Sequence, residues 1–166
     1  MFSQILSLTS VPDRLQAKAR AHHFRDALQI TLDTPSLTPS QLQYRIFNTM
    51  PGWVTHLMRL RNKLVAVFGF SVGQNNMVPT SDELHVGDKA GFLSVCEKYP
   101  EEIISCAEDR HMAFFLSVKK QHNTVIVSTL VNPKTLTGRI YLNAILPFHY
   151  VIARSVIHNA KMAGRL

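Results

Sequence analysis

Cysteine and charge are both scarce in this 166-residue chain, which has two cysteines and only 17% charged residues. Two cysteines exclude a disulfide-rich secreted scaffold. Sparse charge beside 46% hydrophobic residues excludes a disordered tail. The eight prolines and seven glycines are scattered singly, so nothing resembles an interdomain linker, and there is no internal repeat. No run of about 18 residues is wholly apolar, so no membrane-spanning helix is expected. The start, Met1 to Leu6, has neither a basic leader nor a long apolar core, so no secretory signal is expected either. The expectation is one cytoplasmic domain over residues 1–166, with 1–20 as an N-terminal extension.

Chemical signatures are missing as well. There is no P-loop, nucleophile elbow or paired-carboxylate motif. The eight histidines form no His-x-His or His-Glu-x-x-His pattern, and the neighbours His22 and His23 point apart on any regular element. No metal and no cofactor is expected.

Acid is unevenly placed. Residues 110–166 hold eight basic side chains and no acidic one. Residues 82–109 hold eight acids and two lysines, and residues 1–81 hold eight basic and three acidic residues. The net charge of +7 would suit an anionic partner. Nucleic-acid sites, however, cluster Lys and Arg with exposed aromatics, and here Lys119-Lys120 is the one adjacent pair in the acid-free stretch. No nucleic-acid partner is expected. The acidic middle is expected to pair with its basic neighbours in the fold.

Periodicity supplies the elements. Residues 11–21 are weakly helical. Residues 24–32 alternate like a strand, with Phe24, Leu28, Ile30 and Leu32 on one parity and Asp26 as its exception. Thr38, Pro39 and Gln41 form a capping box flanked by Leu37 and Leu42, predicting a helix over 39–49 with Leu42, Ile46 and Phe47 inward. Met50-Pro51-Gly52 breaks it. A second helix over 53–68 carries the stripe Trp53, Leu57, Leu60, Leu64 and Phe68. Residues 69–82 read as loop. Two hairpins follow: 92–99 with 103–108, then 111–120 with 124–131. Their outer faces stay partly apolar at Phe115, Ile126 and Leu130, so another element or a partner subunit is expected to cover them. The last helix, from about 135 to 162, carries Ile140, Ala144, Ile145, Phe148, Ile152 and Val156, with a kink expected at Pro147. Cys96 and Cys106 lie equally far from Glu101, so a cross-strand disulfide is geometrically possible, although cytoplasmic chemistry favours two reduced thiols. The class is α+β: a curved antiparallel sheet on a long C-terminal helix, with two helices inserted after the first strand.

Three local sequences sharpen this. Pro51-Gly52-Trp53 through Leu60-Arg61-Asn62-Lys63-Leu64 to Phe68-Gly69 is one. The others are Glu108-Asp109-Arg110-His111-Met112, and Gly138-Arg139-Ile140-Tyr141 with Pro147-Phe148-His149. Together they resemble a bacterial family of uncharacterised domains placed in the START-like, polyketide-cyclase-like superfamily, whose fold is the helix-grip. The resemblance covers roughly residues 20–160. The chain departs from the family pattern at Ala113 and Phe115, which are apolar here. In some relatives the domain follows a nucleotide-binding domain; this chain has no glycine-rich dinucleotide fingerprint.

The resemblance implies a small hydrophobic molecule held between the sheet and the last helix. It makes Phe114, Tyr141, Phe148 and Ile152 candidate ligand contacts, with Arg110 and Arg139 the first places to look for an anionic group. A second reading is an enzyme of cyclase, isomerase or dehydratase type, with His111 or His149 as acid–base. For Asp109-Arg110-His111 the plainer alternative is a salt bridge and a cap at a strand end. For His149 it is a bond to the Asn143 carbonyl freed by Pro147. A third reading is a nonenzymatic module that forms homodimers through its apolar outer strands.

Overall fold

The computed structural model describes residues 3–67, 69 and 77–166, without the side chains of Leu64 and Val65. Phe68 of the second predicted stripe, and most of the glycine- and asparagine-rich stretch of the 69–82 loop, lie outside the described residues. The strands are β1 (Leu6–Ser7), β2 (Phe24–Thr31), β3 (Lys89–Ala90), β4 (Leu93–Lys98), β5 (Glu102–Glu108), β6 (Met112–Gln121) and β7 (Thr124–Pro133). The helices are α1 (Pro39–Phe47), α2 (Gly52–Ala66) and α3 (Leu136–Met162), with a 3-10 turn at Arg14–Lys18. The protein is thus α+β. Among the described residues its seven strands form one antiparallel sheet in the order β1-β2-β7-β6-β5-β4-β3.

Both hairpins form as their alternation predicts. The β6–β7 turn closes through His122 and Asn123, with Gln121 paired to Thr124 and His122 in the left-handed region at φ 54°. The α1 capping box is complete: Thr38 Oγ1 accepts from the Gln41 amide at 3.2 Å, and Gln41 Oε1 accepts from the Thr38 amide at 3.0 Å. Leu42 and Ile46 are then fully buried against the sheet, and Gln43 bonds Ser105 of β5 at 2.9 Å.

The other two helices match their predicted stripes only in part, with Leu57, Ile145, Ile152 and Val156 turned inward. On α2, Val54 is fully buried, while Trp53 is 45% and Leu60 54% exposed. On α3, Ile140 is 63% and Phe148 55% exposed, while Leu142, Val156, Ile157 and Ala160 are buried. Apolar residues outside the predicted stripes, such as Val54 and Met58 on α2 and Leu142 and Ile157 on α3, let periodicity find each element while leaving its rotation open. α3 runs continuously through Pro147. By length and composition alone it is also apolar enough to cross a membrane, although it holds no wholly apolar run of 18 residues. Mostly buried core helices pass the same test, whereas only 17% of the apolar window of α3 is buried.

The N-terminal segment explains the apolar outer strands. Leu15 is fully buried against Ile104 and Leu130, with Phe115, Tyr99 and Ala19 around them. Asn132 of β7 fastens that segment by donating to the Lys18 carbonyl at 2.9 Å and accepting from the Arg20 amide at 3.1 Å. The outer face is therefore covered by this chain's own residues.

Charge pairs across segments as the sequence suggests. Arg14 meets Glu101 and Glu102, Lys18 meets Glu97, and Lys134 meets Glu108. The acids of the middle strands are matched by bases from both flanking segments. Lys18 hydrogen-bonded to Glu97, with Tyr99 donating a second bond, holds that carboxyl below the usual carboxylate range.

Candidate functional site

The inner face of the sheet does not meet α2 and α3 flush. Between them lies a cavity of about 620 Å³, bounded by Leu57, Met58 and Arg61 of α2 and by Phe92, Ala107, Met112, Phe114 and Val131 of the sheet side. Tyr141, Leu142, Ile145, Leu146, Phe148, His149 and Ile152 of α3 close it. A smaller void of about 80 Å³ continues toward Asp26, Leu28, Val54 and Val127, sharing Met58, Met77, Phe114, His149 and Ile152 with the first. The lining is mostly apolar with a few polar groups, the composition of small-molecule sites. Phe148 both lines the cavity and is 55% exposed, which puts it at the rim.

Two polar constellations stand on the wall. Arg61 of α2 donates through Nε to the Tyr141 hydroxyl of α3, and its guanidinium carbon lies 5.4 Å from the Tyr141 ring centre. This link joins the two helices that flank the cavity. The second is His149, whose Nε2 lies 3.3 Å from Asp26 Oδ2 across the gap between α3 and β2. The Phe24 ring stands edge-on to the imidazole, with centroids 5.2 Å apart. Glu108, held below the usual carboxylate range by its bond to Lys134, borders the far end with Asp109 and Lys89.

Of the sequence-predicted residues, Phe114, Tyr141, Phe148, His149 and Ile152 come together on this wall. Arg110 and Arg139 are exposed and are not among its lining residues. His111 is buried but also lies off the cavity wall. Its Nδ1 bonds Thr135 Oγ1 at 2.9 Å, and that same hydroxyl caps α3 by accepting from the Gly138 amide at 3.1 Å. Asp109 Oδ1 accepts from the amides of His111 and Met112, at 2.7 and 2.9 Å. Asp109 and His111 thus help tie the start of β6 to the start of α3. Gly138 belongs to the same lock, because a Cβ there would collide with the His111 carbonyl oxygen.

Asp26 and Arg61 are functional candidates that the sequence reading passed over. The signal for Asp26 was the break it makes in an otherwise apolar strand parity. Arg61 stands outside the apolar stripe predicted for the second helix, and the rotation of α2 brings it to the cavity wall. Cys96 and Cys106 are joined, with their Cα atoms 6.1 Å apart, so the expected free thiols give way to a disulfide. The register shifts between Val95 and Glu97, placing Ser94 opposite Cys106 and Cys96 within the irregularity.

No curated protein matches the chain. A crystal structure of a protein from Rhodobacter sphaeroides, a structural-genomics target, is similar at 16% identity, with 86% of this chain and 93% of that chain covered and a TM-score of 0.41. Residues 18–156 match the model of a family described as "Protein of unknown function (DUF2867)". That match spans the sheet from β2 onward, the cavity and most of α3, and the chain belongs to this family.

Proposed function

We propose that this protein binds a small, mainly hydrophobic molecule in the cavity between its sheet and α3, in the manner of START-like helix-grip proteins. The observation that carries the reading is the cavity of about 620 Å³, walled chiefly by aliphatic, methionine and aromatic side chains. A closed apolar core would pack to crystal-like density. A void of this size within an α+β layer is instead in the range of drug-sized ligand sites.

The test is native mass spectrometry of the purified protein, before and after gentle denaturation. The expected result is a co-purified small molecule that is absent from an Ala107→Phe variant, in which the new ring projects into the cavity. A folded wild-type protein that carries no such molecule, and that takes up none from an apolar compound library, contradicts the reading.

A further inference from the structure

We propose that Asp26 and His149 form a proton-accepting pair inside the cavity, and that the molecule bound there carries an acidic hydroxyl, a phenol or an enol. This deepens the ligand-binding reading and rests on it. The argument begins with cost. Asp26 shares the inner face of β2 with Leu28 and Ile30, both buried in the main core. Its side chain is 10% exposed, and that of His149 is 20% exposed. A carboxylate in such a place is unfavourable unless it is paired. His149 meets it from α3 at 3.3 Å, with Phe24 and Tyr150 standing edge-on to the imidazole at centroid distances of 5.2 and 5.9 Å.

An ionised carboxylate only accepts hydrogen bonds, so the Asp26 contact places the proton of neutral His149 on Nε2 and leaves Nδ1 as the basic nitrogen. His149 borders both voids, so a ligand filling the cavity lies against it. In the proposed step, Nδ1 takes the proton of the ligand hydroxyl and the O–H electron pair stays on oxygen. The products are an imidazolium and a bound oxyanion. Asp26 stabilises the imidazolium without becoming protonated. The other titratable groups on the wall are Arg61 with Tyr141 between α2 and α3, Glu108 and Asp109 at the end of β5, and Lys89 of β3. Tyr150 is the remaining titratable neighbour of the imidazole. Structural roles alone would be met by an apolar pair linking β2 and α3 at lower desolvation cost.

The experiment uses 4-nitrophenol, whose phenolate is yellow, and nitrobenzene, which has no proton to give. Both are titrated at about pH 6 into the full chain, Asp26→Asn and His149→Phe. A dry apolar cavity without a base draws the phenol in neutral and bleaches the colour. A proton-accepting pair deepens it. The expected result is that nitrobenzene binds all three proteins, and that bound nitrophenol turns yellow only in the wild type. A one-unit fall in the bound phenol's pKa raises its phenolate-to-phenol ratio about tenfold. If nitrobenzene binds and wild-type-bound nitrophenol stays colourless, or is equally yellow in both variants, the pair is structural and the proposal is overturned while the cavity reading stands. If nitrobenzene binds none of the proteins, the cavity reading fails and takes the proposal with it. Asp26→Asn preserves size and hydrogen bonding, so the colour test survives if His149→Phe does not fold.

Discussion

Single side chains carry much of what is specific here, and they differ in how plainly they announce it. The capping box at Thr38 and Gln41 is legible because its chemistry is local. The lock built by Asp109, His111, Thr135 and Gly138 is not, because Thr135 is 24 residues beyond His111 and only folding joins them. Gly138→Ala should lower stability by about 1–3 kcal/mol despite alanine's better helix propensity, since the backbone oxygen of His111 cannot step aside. Chemical denaturation of the two proteins measures this directly. The Cys96–Cys106 bond closes a short loop across the β4–β5 hairpin. Cys96→Ser with Cys106→Ser should cost about 2–4 kcal/mol under non-reducing conditions and make the midpoint indifferent to added reductant. A midpoint that already ignores reductant in the wild type speaks against the bond. Asp26 was visible as an exception in its strand, but its partner lies 123 residues away.

Elements were read more reliably than their orientations. β2, both hairpins, α1, α2 and α3 stand close to where periodicity puts them, because burial on one side imposes a repeat of two or of 3.6 residues. The inward faces of α2 and α3 match the predicted stripes only in part: Leu57, Ile145, Ile152 and Val156 turn inward, whereas Trp53, Leu60 and Ile140 are exposed. The two-residue strands β1 and β3 are too short to leave a pattern. The observed rotation of α3 makes a paired prediction. Ile157→Ala should destabilise by about 2–5 kcal/mol, whereas Ile140→Ala should stay within about 0.5 kcal/mol, and urea midpoints separate the two. The N-terminal segment gives a pH test. Lys18, then Tyr99, hold the folded-state pKa of Glu97 below its ordinary value. The stability this supplies is present above the ordinary carboxylate pKa and is lost as pH falls through the lower folded-state value. Glu97→Gln should therefore lower stability near neutrality by about 0.5–1 kcal/mol and flatten the loss on acidification.

At the scale of the whole molecule, the uneven charge becomes an internal arrangement. Bases from residues 14–18 and Lys134 meet acids of β4 and β5 or their edges, and Lys161 at the end of α3 meets Asp33 at 2.6 Å. The class, the element order and the family domain could be read from the sequence, since they depend on patterns repeated along the chain. The cavity could not, because it is a mismatch between two surfaces, and a mismatch leaves no periodicity. Exposed large apolar side chains include Trp53, Leu60, Ile140 and Phe148 on the helices as well as Leu6 on β1 and Val86 before β3, and Leu15 from the chain's start packs on Ile104 and Leu130 of the outer face.

The cavity is the claim on which the functional account depends, and methionine methyl groups report on it most directly. Met58, Met77 and Met112 line it, whereas Met162 is 70% exposed at the end of α3. Carbon-13 methyl-methionine spectra recorded during a nitrobenzene titration should show saturable shifts at Met58, Met77 and Met112 and none at Met162. Three cavity methyls that stay unmoved at saturating probe, or shifts confined to Met162, would contradict the account.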